Sequence, residues 1–448
     1  MKTTGLVAVL ALLFSLALGI VAGSEVPGLR PSALAVAISQ SWYESLPIEP
    51  TQATNAYLEL IPAETRERSR VVSDGWFPIF GMRLGVAIAS VALILFSGCS
   101  AWMRDLSQRV SRVQPVQDAV YALQLFGVLF LLNLPLSTVA GFARRRRFGF
   151  SDMPFPAWLA DTALKWAILT FFGTICAVLI FAFIRRRPQT WTRWALAVYV
   201  ALTAFQIYIA PAYIEPLFNR IEPMADSPLK RNILSLARAN GVAEANVFVS
   251  NASRQSKLLN AHVSGIGSTT KIVLNDTTVA DASPAAVKFV MAHEIGHYVL
   301  GHAGKWLVFN GLVMAVGFAF IAWGARRLLQ RFGARWRLAG LSDIGALPLI
   351  WLLFVVFGYM STPVNCWFSR MQETEADLYG LNASQEPLGL PEFLLHDADS
   401  YPFDPSPILI AMFYDHPTPA SRINTAMRWR TEHPTKQREA ASSQLNAN

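Results

Sequence analysis

Seven apolar runs, most of them close to the length of a bilayer-crossing helix, leave this chain few folds to choose from. They cover residues 6–22, 84–103, 119–143, 166–184, 194–214, 306–324 and 346–360 or a little beyond. A backbone surrounded by hydrocarbon must bond to itself, so runs of this kind are expected to cross a membrane as helices. Composition agrees: 53% hydrophobic against 15% charged residues, with a mean hydropathy of +0.35, is too apolar for an ordinary soluble protein of 448 residues. The first run has a second reading, because Lys2, a short apolar core and the small residues Ala22 and Gly23 also describe a secretory signal peptide.

Arginine-rich joints separate the runs. Arg104, Arg109 and Arg112, then Arg185 to Arg187 with Arg193, then Arg326, Arg327, Arg331, Arg335 and Arg337 fall on one side, against Arg144 to Arg147 with Lys165 on the other. At span ends these are interfacial anchors, and they account for the net charge of +8 without nucleic acid. Twelve arginines against four and Lys165 weigh weakly toward the first of these sides being cytoplasmic. Cys99, Cys176 and Cys366 all lie in or beside apolar runs, an odd set with no metal or disulfide spacing.

Between the fifth and sixth runs the texture changes. A helical stretch ends near Asn240-Gly241, and short strand signals follow at Val247 to Val249, Asn260 to Ser264 and Lys271 to Leu274. A small sheet can accept an extended peptide along a free edge, and Asn260 and Ala261 are the edge candidates. Then Ser283-Pro284 reads as a helix start and leads into His293-Glu294-Ile295-Gly296-His297. On a helix, residues four apart share a face, so both imidazoles can reach one tetrahedral ion while Glu294 reaches the water that completes its shell. Glu373 and Asp377 show the same spacing. Glu373 is the expected third ligand, and Asp377 the acceptor that orients a histidine ring. His302, five residues past His297, would be turned off the ligand face of a continuous helix.

With these motifs the chain resembles the CAAX prenyl endopeptidases and their bacterial relatives, integral-membrane zinc metalloproteases of the gluzincin type. The resemblance runs through Pro211 to Asn219, Leu259-Asn260-Ala261-His262, Lys271 to Thr277, both zinc motifs and Asp415-His416-Pro417, about the last half of the chain. His262 departs from it, since the family usually has an aromatic after the Asn-Ala pair. The resemblance implies an α-helical multi-pass protein with about seven transmembrane helices around an intramembrane chamber, and a small α+β zinc-protease domain. It also implies that His416 and Arg422 assist the oxyanion, and that substrates are peptides or lipid-modified proteins beside membrane lipids. The setting would be the cell membrane in a bacterium or the endoplasmic reticulum in a eukaryote.

The expected layout is 1–23 as the first transmembrane helix or a signal peptide and 24–83 as an extramembrane N-terminal region. Transmembrane helices follow at 84–214, then the zinc-protease insert at 215–305, further transmembrane helices at 306–368, the rest of the catalytic domain at 369–428 and a disordered tail at 429–448. The chemistry expected is peptide hydrolysis with one Zn2+, Glu294 moving the proton. Two alternatives are a general membrane quality-control protease and a transporter or scaffold with structural zinc. A structural site would be closed by a fourth side chain, which makes Glu294 hard to explain there.

Overall fold

The computed structural model describes residues 38, 40–242, 245–265, 270–403 and 405–434. The run at 6–22 and the tail beyond 434 lie outside the described residues. The chain packs as two compact units, each assembled from separate stretches of sequence.

The first unit takes in 78–205 and 307–362. Among the described residues of the whole chain, five helices are long and apolar enough to cross a membrane: Ala63–Phe96, Gln114–Arg147, Phe155–Arg186, His302–Trp336 and Ile344–Ser384. Trp191–Tyr208 and Ala210–Leu217, bent by 51°, make a sixth if taken as one span. Hydropathy located these spans but not their ends. The span read as ending at 103 stops at Phe96, because Gly98 adopts φ +80° and a new helix, Cys99–Val110, begins beyond it. The run read as 346–360 or a little beyond continues to Ser384 as one helix, within which the two units part between 362 and 363.

Leu125, Leu129, Phe181 and Ile321 are fully buried in this unit, and Gly173 and Gly317 give room to the rings of Phe126 and Phe357. Two arginines read as interfacial anchors hold partners inside the unit. Arg185 makes two hydrogen bonds to Asp118, at 2.6 and 2.8 Å, and Arg104 donates to Asp343 at 2.7 Å.

The second unit takes in 206–306 and 363–434 with the described residues from 38 to 77. Its sheet has four strands: β1 (Ile221–Pro223), β2 (Asn246–Ser250), β3 (Ala261–Ser264) and β4 (Lys271–Asn275), in the order β1-β2-β4-β3. β2 and β4 are parallel, and the outer pairs are antiparallel. Ile272, Val273 and Leu274 are all buried, as an unbroken apolar run in an inner strand should be.

The histidine helix spans Pro284–Val299. Met291 and Ile295 are fully buried on the face opposite its histidines, each worth roughly 1.5–3 kcal/mol of burial. The last helix, Pro419–Glu432, extends into the stretch assigned to the tail, because Trp429 is buried and donates to Asn382 Oδ1 at 2.9 Å.

Candidate metal centre

The site begins at a helix cap. Ser283 Oγ accepts from the Ala286 N–H and Pro284 occupies the first turn, so the histidine helix starts where the sequence placed it. Nine residues on, His293 and His297 stand one turn apart with their Nε2 atoms 3.0 Å from each other.

The carboxylate helix, Leu347–Ser384, packs closely against this one because two positions lack a side chain. A Cβ on Gly380 would sit 3.2 Å from the His293 backbone nitrogen, and one on Gly296 would sit 3.0 Å from the Tyr379 ring. That approach brings in Glu373. Its Oε2 lies 3.3 Å from His293 Nε2 and its Oε1 lies 3.4 Å from His297 Nε2.

The donor distances test whether a metal fits. Four ligands at zinc bond lengths of about 2.0–2.1 Å stand about 3.3 Å apart at the corners of a tetrahedron. The observed 3.0, 3.3 and 3.4 Å agree with that edge. Glu373 Oε2 is moreover buried with no hydrogen-bond partner. Two imidazole nitrogens and a buried carboxylate oxygen converging at this spacing form a set that a cation would complete.

Asp377, one turn beyond Glu373, places Oδ1 3.0 Å from His293 Nδ1. Arg422 from the last helix grips the same carboxylate, Nε donating at 2.8 Å and Nη2 at 2.6 Å. All three side chains are buried. Burial pushes the His293 pKa down, but hydrogen bonds to Asp377 and Glu373, with the charges of both carboxylates, outweigh it and raise the pKa to about 10.

Glu294 lies between the two histidines in sequence and off their shared line. Desolvation holds its carboxyl above the ordinary range, against the opposing pull of His293 and His297.

His416 Nε2 lies 3.2 Å from Glu373 Oε2, and its Nδ1 lies 2.9 Å from Asp415 Oδ1. The ring is half exposed and so reaches the centre from its open side. Arg422, paired with His416 in the sequence reading, commits Nε and Nη2 to Asp377, which leaves Nη1 for any other duty.

β3 is an outer strand, as expected for a peptide-binding edge. The Asn275 N–H donates to Asn260 O at 3.0 Å, so Asn260 faces β4 and the next residue, Ala261, turns its backbone outward. Asn260 Oδ1 caps the Ala261 N–H at 2.9 Å.

His302 was misplaced by the assumption of one continuous helix. Gly301 takes φ +67°, the histidine helix ends, and His302 opens the next helix with its Nδ1 2.8 Å from His297 Nδ1. A glycine just before it was the available signal, since glycine is the common residue where a helix stops.

Comparison with known proteins gives two family models that match successive parts of the chain. "Peptidase family M48" matches residues 223–430, and "CAAX prenyl protease N-terminal, five membrane helices" matches residues 72–220. An uncharacterized metalloprotease of Bacillus subtilis, YhfN, is 30% identical over 65% of this chain and 68% of its own length. CAAX prenyl protease 1 of Saccharomyces cerevisiae is 27% identical over 73% of this chain and 76% of its own. Among solved structures, Ste24p of S. mikatae shares the fold with a TM-score of 0.67 at 20% identity, covering 94% of this chain and 97% of that one.

Proposed function

This chain belongs to peptidase family M48, within the CAAX prenyl endopeptidase group, and from that premise we propose that His293, His297 and Glu373 hold one zinc ion beside which Glu294 handles the proton of peptide hydrolysis. The protein is a multi-pass membrane metalloendopeptidase of the CAAX protease type. The observation that carries the assignment of residues is the set of donor distances, 3.0, 3.3 and 3.4 Å, at tetrahedral spacing.

Zinc bound there would polarise the scissile carbonyl and lower the pKa of a water. Glu294 takes a proton from that water at its carboxylate and returns it to the leaving amine, a task suited to a carboxyl whose affinity for protons desolvation has raised. Asp377 accepts at His293 Nδ1 and keeps Nε2 aimed inward, and Arg422 keeps Asp377 charged and in place. His416, on the open side of Glu373, is positioned to donate to the oxyanion of the cleaved carbonyl. The outward backbone of Ala261 lines up the substrate as an added strand.

Substrates on this reading are peptides or proteins held at a membrane. Prenylated C-termini are the first class to try, because the yeast relative is named CAAX prenyl protease 1. The test uses detergent-purified protein, its zinc content, and cleavage of a farnesylated CAAX peptide beside its unprenylated twin. Glu294→Gln should keep stoichiometric zinc and lose about 10²–10⁴-fold or more in rate. Cleavage of the farnesylated peptide alone supports the CAAX assignment. Equal cleavage of both moves it to a general membrane protease, and a fully active Glu294→Gln variant rejects the assigned base.

A further inference from the structure

Each histidine that faces the metal position has a second ring nitrogen, and the two are held by different means. His293 Nδ1 meets Asp377, whose carboxylate is clamped by Arg422. His297 Nδ1 meets another imidazole, His302 Nδ1, at 2.8 Å. His302 Nε2 in turn lies 3.1 Å from Glu375 Oε2, and that oxygen also accepts from Lys305 Nζ at 2.8 Å. We propose that His302 is a positioning residue of the metal centre, which transmits the hold of Glu375 to His297 and fixes that ligand's tautomer and ring plane. The inference rests on the reading above that His293, His297 and Glu373 bind zinc.

The proton count supports one arrangement only. A metal on His297 Nε2 leaves the ring proton on Nδ1, so His297 donates and His302 Nδ1 must accept. A neutral ring that accepts at Nδ1 carries its proton on Nε2, and there Glu375 stands as the acceptor. The reverse order would place a proton on His297 Nε2, at the ligand position itself. In the compatible order both N–H groups have an acceptor, although His302 is only 4% exposed.

The contact is built rather than incidental. On an unbroken helix five residues rotate a side chain by roughly 140°. The left-handed Gly301, at φ +67°, cancels that rotation and returns the ring to His297. The two rings meet edge to face, 4.8 Å between centroids and 75° between planes, which lets one nitrogen point at the other. Gln372 Nε2 donates to the His302 carbonyl at 3.0 Å and pins its backbone. Both ligand histidines thus follow one plan, a cation holding a carboxylate that holds a ring, with His302 bridging a gap that Asp377 spans directly on the other side.

The experiment measures zinc affinity of the metal-stripped full-length protein in detergent, by competition with a chromogenic chelator. His302→Ala is expected to weaken zinc about 10–100-fold. His302→Asn, whose Oδ1 can accept from His297 Nδ1, should recover part of that loss, and Glu375→Gln should weaken zinc several-fold. The cobalt-substituted His302→Ala protein should show a shifted visible spectrum. The proposal is overturned if His302→Ala holds zinc within about twofold of wild type, or if the asparagine variant binds no tighter than alanine while both melt like wild type without metal. Should His302→Ala fail to fold, Glu375→Gln decides alone, and wild-type affinity there overturns the proposal. His293→Ala is the control: if it binds zinc as wild type does, the ligand assignment itself falls and this inference with it.

Discussion

His262 stands on β3, and its Nε2 lies 3.3 Å from Glu215 Oε2. Burial alone would lower its pKa, but the hydrogen bond and charge of Glu215, with Glu294 adding, raise it above 6.5. A raised folded-state pKa means that the protonated ring stabilises the fold. That contribution is full below the ordinary value and fades as pH rises through the raised one. Comparing wild type with His262→Phe, the melting-temperature advantage of histidine should be greatest near about pH 5.5 and shrink toward alkaline pH, whereas an advantage that grows with pH would exclude this pairing. At this scale the sequence was informative about which side chains converge as candidate ligands. Four-residue spacing on a helix is a local property, and so His293, His297 and Glu373 could be named before any fold was known. Glu215, reached through space by His262, had no such local sign, and for His302 the preceding glycine marked only where a helix stops, not that the ring meets His297.

At the scale of elements, three glycines set the centre. Gly296 and Gly380 let the histidine and carboxylate helices approach, and Gly301 ends the first of them. Gly380→Ala would place a methyl 3.2 Å from the His293 backbone nitrogen, which cannot swing aside, and 3.2 Å from the Phe289 ring. An overpacked contact of this kind costs about 1–3 kcal/mol, so the variant should melt lower and bind zinc several-fold more weakly, read by thermal unfolding and chelator competition. Unchanged zinc affinity would mean that the helix separation does not govern the ligand geometry. Gly301→Ala forces φ +67° on a residue with a Cβ, at roughly 1–2 kcal/mol, and should lower the melting temperature of the metal-free protein as well. Helix cores were legible from hydropathy, but their ends were not. Gly98 cuts one span short and the Leu347–Ser384 helix runs past its apolar stretch, because capping and packing set where a helix stops.

At the scale of the whole molecule, a metal that ties two helices of one unit together should be felt in global stability. Binding to the folded chain alone adds about 4 kcal/mol at a thousandfold excess over Kd. Chelation is therefore expected to lower the melting temperature by several degrees, zinc should restore it, and Glu294→Gln should show the same shift because it removes no ligand. A chelator-insensitive melt would argue against zinc at this centre. What the sequence by itself determined was whatever depends on near neighbours: which runs are apolar enough to cross a bilayer, and which residues share a helix face as candidate ligands. Only the tertiary structure decided that Ala261 rather than Asn260 faces outward from β3, that Arg422 clamps Asp377, and that His302 turns back onto His297. Those outcomes depend on strand pairing, on the crossing of two helices and on one left-handed glycine, none of which the spacing of residues along the chain specifies.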